Sequence, residues 1–238
     1  AREFEIPLAG WPKAFDGLRI GHLTDIHYGD LMKVEQAVAA VDLLAAQKPD
    51  IVCFTGDMID LHCEGAEPIF AALTKVNAPL GAYMVMGNHD YLDDGERVRA
   101  MARAAGVTVL DESVERFERD GEELRVAGID WDRTVKGLRA RVRRVAPEKP
   151  HLLLAHNPKA FLSASEEGIP LTIAGHTHGG QIARPGKPNV NLAVAHRLSA
   201  GLYERGESAL FVSVGVGAWF PLRVHCPAEV VLITARSG

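Results

Sequence analysis

Three apolar segments in the first hundred residues, 18–24, 51–54 and 82–86, are each followed by a stretch whose apolar positions recur at helical spacing. The first stretch carries Val34, Ala37, Val38, Val41, Leu44 and Ala45 and closes at Pro49-Asp50. A second carries Ile69, Leu73 and Val76, and a third carries Val98, Met101, Ala102 and Ala105 before Gly106. Apolar runs of four to seven residues read as buried strands, and the i, i+3, i+4 recurrences read as amphipathic helices. Strands alternating with helices imply parallel pairing through right-handed crossovers.

The pattern changes after residue 110. Residues 116–128 hold Asp120-Gly121 between strand-like arms, a hairpin signal. Val135, Leu138, Val142 and Val145 then define one face of a helix, with Arg139, Arg141, Arg143 and Arg144 on its solvated side. Strands are expected at 151–155, 171–174, 209–214 and 229–235. From 181 to 201 the periodicity fails, and Pro185, Gly186 and Pro188 point to a long loop. With no internal repeat and no low-complexity linker, residues 1–238 are expected to form one domain.

Composition adds exclusions. Forty-seven per cent hydrophobic and 24% charged residues suffice for a packed core. A net charge of -5 argues against broad electrostatic binding to nucleic acid. Cys53, Cys63 and Cys226 are too far apart for a paired-cysteine zinc site. No apolar run is long enough to cross a bilayer, so membrane association is expected only through a segment preceding Ala1. Localisation therefore stays open between cytoplasmic and membrane-associated or exported.

Polar residues collect where the apolar runs stop. Asp25 and His27 follow the first run, Asp57 and Asp60 the second, and Asn88 and His89 the third. His156 follows the run at 151–155, and His176 and His178 follow that at 171–174. The carboxyl ends of strands are where open α/β sheets bind ligands. Imidazole, carboxylate and amide donors without thiolate suit Zn, Fe or Mn. Seven such donors (Asp25, His27, Asp57, Asn88, His156, His176, His178) exceed what one tetrahedral ion with an open position needs. Two ions sharing one carboxylate use them all, and Asp57, between two other β-α units, is the natural bridge. The remaining histidines, His22, His62, His151, His196 and His225, are assigned no role.

In order, Asp25-Ile26-His27, Gly56-Asp57, Gly87-Asn88-His89-Asp90, His156 and Gly175-His176-Thr177-His178 resemble the five motifs of the calcineurin-like metallophosphoesterases. The segment from Gly175 to Gln181 and the tail around Pro221-Leu222-Arg223 look most like the bacterial YkuE-type phosphodiesterases. The resemblance implies a four-layer α/β/β/α sandwich with two mixed sheets between helices. It also implies two divalent metals, with Mn favoured and Fe or Zn as alternatives. It puts Asp25, His27 and His178 on one ion and Asn88, His156 and His176 on the other, with Asp57 bridging. Such ions acidify a shared water for in-line attack on phosphorus. His89 matches the histidine that protonates the leaving group, and Asp60 the aspartate that orients it; a helix N-cap is the other reading of Asp60.

One departure bears on substrate. Protein phosphatases of this superfamily place a phosphate-gripping arginine after the aspartate at the Asp60 position, and here that residue is Leu61. Two divalent ions against two aspartates and one hydroxide leave about one positive charge, which matches a singly charged diester. A small-molecule phosphodiester or pyrophosphate is therefore the expected substrate. Trp219, Phe220 and Arg223 are candidates for binding it. The resemblance leaves three alternatives: a UDP-2,3-diacylglucosamine pyrophosphatase, a non-catalytic scaffold on the same fold, and a DNA nuclease, which the acidic balance disfavours.

Overall fold

A computed structural model describes all residues, Ala1–Gly238. The first sheet contains β1 (Arg2–Leu8), β2 (Leu18–Leu23), β3 (Ile51–Phe54), β4 (Ala82–Met84), β5 (Val107–Val109) and β14 (Val231–Ser237), in the order β1-β14-β2-β3-β4-β5. Strands β2 to β5 are parallel, and β14 is antiparallel to β2. The second sheet contains β6 (Ser113–Arg119), β7 (Glu122–Gly128), β8 (Leu152–Leu154), β9 (Leu171–Ala174), β12 (Gly201–Arg205) and β13 (Ser208–Val212), in the order β12-β13-β9-β8-β7-β6. Its four inner strands are parallel and both outer pairs antiparallel.

Successive side chains of a strand point to opposite faces, so a strand covered on both sides must be apolar throughout. In β3, Ile51 and Cys53 enter the core between the sheets, while Val52 and Phe54 enter the core under the first set of helices. In β8, Leu152 and Leu154 face the other sheet, and Leu153 faces the second set of helices. The helices α1 (Val34–Ala46), α2 (Glu67–Leu73) and α3 (Gly95–Ala104) cover the first sheet. The second is covered by α4 (Val135–Val145) and α5 (Phe161–Glu166). The result is the expected four-layer α/β/β/α sandwich with two mixed six-stranded sheets.

Several elements depart from the sequence pattern. Residues 181–201 are not one long loop: β10 (Ala183–Arg184) and β11 (Lys187–Asn191) pair as a short ribbon turning at Gly186. Strands β1 and β12 escaped the pattern because they lie at sheet edges, where half of their positions face water. Helix α2 stops at Leu73, and Val76 packs on the same core from the turn that follows. The arginines of α4 are ion-paired, Arg139 with Glu166, Arg141 and Arg144 with Glu112, and Arg143 with Glu167. That face is a solvated, charge-balanced surface. No helix is long and apolar enough to cross a membrane.

His151 tests the packing at the start of β8. Its ring meets Trp11 edge-on at 6.4 Å, and Nδ1 accepts the Arg125 N–H at 3.0 Å. Burial, aided by the Arg125 charge, lowers its pKa to about 4. Between that value and the ordinary 6.5 the unfolded chain binds a proton that the fold refuses, so stability falls as pH drops through this window. Urea unfolding across it should show that slope, and His151→Gln should flatten it by up to one proton. An unchanged slope would mean that the folded protein already accommodates the charged ring.

Candidate metal centre

Parallel pairing of β2 with β3 puts the turns after both strands side by side, and β9 brings a third turn across from the other sheet. The three turns are stitched together: the Asp25 N–H donates to Gly56 O at 3.0 Å, and the His176 N–H donates to the Asp25 carboxylate at 3.0 Å. Five polar residues here have left-handed backbone, Asp25 (φ 52°), His27 (49°), Asp57 (53°), His176 (72°) and His178 (50°). Residues with a Cβ resist this conformation, at a cost on the order of 1–3 kcal/mol each, and it persists only where the surroundings enforce it. Asp90 supplies one such constraint. Its fully buried carboxylate accepts N–H bonds from Asp57 (2.9 Å), Met58 (2.8 Å), Ile59 (3.3 Å) and Gly87 (2.8 Å).

The strained turns aim their side chains inward. Asp25, His27 and His178 form one cluster and Asp57, His156 and His176 another. His178 Nε2 lies 3.2 Å from Asp25 Oδ1 and 2.9 Å from His27 Nε2. Asp57 Oδ2 lies 3.5 Å from His27 Nε2 and 3.1 Å from His156 Nε2, and so touches a member of each cluster. His156 donates its Nδ1–H to Thr55 O at 2.6 Å, which leaves Nε2, 3.1 Å from Asp57, as the nitrogen that takes either a second proton or a cation.

Burial by itself would keep Asp25 and Asp57 neutral, but the surrounding imidazoles outweigh it and hold both carboxyls below their ordinary range. The converse shift appears on the partners. Against the opposing effect of burial, the carboxylates raise His27 to about 10 and His156 to about 9. His176, where burial dominates, drops to about 3. Two buried carboxylates thus demand positive charge, and protons on His27 and His156 supply it. Divalent cations meet the same demand. The donor set is nitrogen and oxygen only, and the buried Asn88 Oδ1 has no hydrogen-bond partner. These residues fit divalent metal.

His89 groups with His27 and Asp57 in a third, overlapping cluster, with Nδ1 2.9 Å from Asp60 O and 3.1 Å from Asp60 Oδ1. Asp60 Oδ1 also lies 3.3 Å from His27 Nδ1. Asp60 is therefore not a helix cap; it sits between the two rings. Trp219 stacks on His178 with centroids 6.0 Å apart and planes at 21°, and Phe220 adjoins it. Trp219 and Phe220 line a cavity of about 340 Å³ that includes His176. Arg223 does not line that cavity. Its guanidinium donates to the carbonyls of Val214 (2.9 Å) and Cys226 (3.0 Å) and to that of Gly217, and lies 3.4 Å from His178 Nδ1. These bonds hold the turn behind His178 in place.

Three residues here had been given no role. Asp90 was visible in Gly87-Asn88-His89-Asp90, but nothing in the sequence said that its carboxylate would knit four amides. Trp131, 4.9 Å from His176 and 5.4 Å from His156 between ring centroids, follows β7 and so obeys the same strand-end rule as the ligands. His196 meets the His176 ring edge-on at 5.4 Å from a segment without periodicity, and no sequence signal would have found it.

Comparison with known proteins bears on the family and the fold. The calcineurin-like phosphoesterase family model matches residues 18–180. The chain is similar to the uncharacterized metallophosphoesterase YkuE of Bacillus subtilis, 30% identical over 95% of this chain and 82% of that one. It is also 30% identical to a Danio rerio transmembrane protein with a metallophosphoesterase domain, covering 99% of this chain but 57% of that protein. The chain spans 61% of a Campylobacter jejuni relative and 59% of a Helicobacter pylori one. Among solved structures, a dimetal phosphatase from Danio rerio shares the fold, with a TM-score of 0.53 at 13% identity over 87% of this chain and 90% of that one.

Gly175 offers a direct test. A Cβ there would lie 2.1 Å from Asp25 Oδ2 and 2.3 Å from Thr24 Oγ1. Gly175→Ala should displace the Asp25 carboxylate and weaken divalent-metal binding about 10–100-fold. Isothermal titration of metal into chelator-stripped protein reads the loss, and a folded far-UV spectrum separates it from collapse.

Proposed function

The chain belongs to the calcineurin-like phosphoesterase family, which makes it a metal-using hydrolase of phosphoesters, and from that premise we propose a dinuclear phosphodiesterase. The observation that carries the reading is the shared position of Asp57, whose Oδ2 lies within 3.5 Å of a ring nitrogen from each cluster. On this reading Asp25, His27 and His178 hold one ion, Asn88, His156 and His176 the other, and Asp57 both. Residues 1–238 act as one domain, since the core between the sheets draws side chains from both halves of the chain. When bound, the two ions supply an acidified water and charge compensation at the phosphoryl oxygens. Mn is the favoured metal, with Fe or Zn as alternatives.

The protein's own groups account for the rest. His89 gives its Nδ1–H to Asp60, so Nε2 is the nitrogen that would carry a second proton, as the imidazolium, to a leaving alkoxide. Asp60 fixes the ring's orientation from between His27 and His89. Charge selects the ester. Leu61 occupies the place of a phosphate-gripping arginine, and the Arg223 guanidinium is committed to backbone carbonyls. Neither of these two positions offers a guanidinium to compensate the second charge of a monoester, so a small diester or pyrophosphate fits better.

A second reading has one observation in its favour. The apolar cavity beside His176 suits a pyrophosphate with an acyl-bearing group, of which UDP-2,3-diacylglucosamine is an example. Turnover of that lipid but not of aryl diesters would select it, and Trp219→Ala should then raise its KM.

Kinetics on bis-p-nitrophenyl phosphate and p-nitrophenyl phosphate decide the main reading: kcat/KM should favour the diester, and a strong monoester preference overturns it. His89→Asn should lower kcat on an alkyl diester about 10²–10⁴-fold while two metals per chain are retained. A much smaller loss is expected with p-nitrophenolate, which leaves without a proton. Chelation should abolish turnover, and Asp57→Asn should reduce the metal count below two. No turnover of any phosphoester by metal-loaded protein would point to a binding scaffold instead.

A further inference from the structure

The two walls beside the strand-end cluster are unlike. One cavity, of about 490 Å³, is lined by Asp30, Glu35, Asp60 and Glu64 against a single Lys33. The cavity at His176 has no carboxylate among its lining residues, and its wall is Leu192, Val194, Trp219 and Phe220. It shares Ala195 and His196 with a neighbouring cavity that reaches Val135, Lys159, Leu162 and Arg197, again without an acid. The apolar surface is thus continuous from Val135 to Trp219. It is also bare: Val194 is 87% exposed, Leu192 61% and Trp219 60%.

Charge says what suits this face. From Gly168 to Tyr203 and from Ser208 to Ala228 there is no Asp or Glu. At the chain's frequency of 31 acidic residues in 238, about seven would fall in these stretches. Lys159 and Arg197 line the face without ion pairs, whereas the four arginines of α4 are each matched to a glutamate. A protein of net charge -5 therefore keeps unpaired cations around its most exposed apolar side chains. Exposed apolar groups ringed by cations are the composition of a surface that lies in a lipid interface.

We propose that the segments 187–198 and 219–222 form a docking surface for an anionic lipid bilayer. Leu192, Val194 and Trp219 enter the boundary between headgroups and acyl chains, and Lys159 and Arg197 meet the phosphates. Docking requires neither metal nor turnover, so it stands independently of the catalytic reading. It turns the cavity at His176 toward the headgroup layer and leaves the acidic wall facing water.

Co-sedimentation of the full chain with phosphatidylcholine vesicles, with and without phosphatidylglycerol, tests the proposal. Binding should require the anionic lipid, weaken steeply with salt, and shift Trp219 emission to the blue. Val194→Asp should reduce binding about ten-fold or more, and Arg197→Glu about five-fold or more. Leu43→Asp, on the outer face of α1, should leave it unchanged. Val194 is so exposed that its variant should melt as the parent does. Failure to bind anionic vesicles, equal binding to neutral ones, or full retention by Val194→Asp overturns the proposal. So does a lipid-free dimer that Val194→Asp dissociates, which would assign the face to a second copy of the chain.

Discussion

Two carboxylates withdrawn from water govern this molecule. Asp25 and Asp57 are essentially fully buried at the ends of adjacent parallel strands. Unpaired, each would carry a desolvation penalty of several kcal/mol. The structure answers by ringing them with His27, His156 and His178 and by making those imidazoles yield either a proton site or a lone pair. Protons or cations must occupy the space between them, and metal affinity is therefore coupled to pH through the same groups. On the proposed reading, phosphoester hydrolysis draws on that concentration of positive charge.

Holding such groups together requires backbone that ordinary residues avoid. Five of the site's aspartates and histidines sit in the left-handed region. Close approach of neighbouring turns enforces it: a Cβ on Gly87 would fall 2.4 Å from Asp57 N, and one on Gly217 would fall 2.0 Å from Ile26 O. The Asp90 carboxylate then ties Asp57 and Gly87 to one anchor. Strain, close glycine contacts and a buried anionic clamp form one device, because none keeps the donors aimed without the others.

The site also has a direction. An acidic wall beside Asp60 and an apolar, cation-rimmed wall beside Trp219 divide the approaches to the strand ends. A substrate with one charged and one greasy end would be oriented before it reached the metals, and a lipid surface would orient the whole protein in the same sense.

The strand-end donors were legible in the chain itself. Strands buried on both faces must be apolar throughout, so a polar residue directly after such a run stands out, and Asp25, Asp57, His156 and His176 all do. The five spaced motifs carried the fold with them. Edge strands such as β1 and β12 were not legible, because half-solvated positions look like loop. Neither was the ribbon at 183–191, whose few backbone pairs leave no periodicity. Arg223 shows the limit for side chains: its charge suggested phosphate, yet folding set it among the carbonyls of Val214, Gly217 and Cys226. Asp90 and His196 acquired their roles only when distant segments met. Sequence determines what a residue can do within its own strand or turn; contacts across the two sheets, set by how the whole core packs, decide which of those capacities is used.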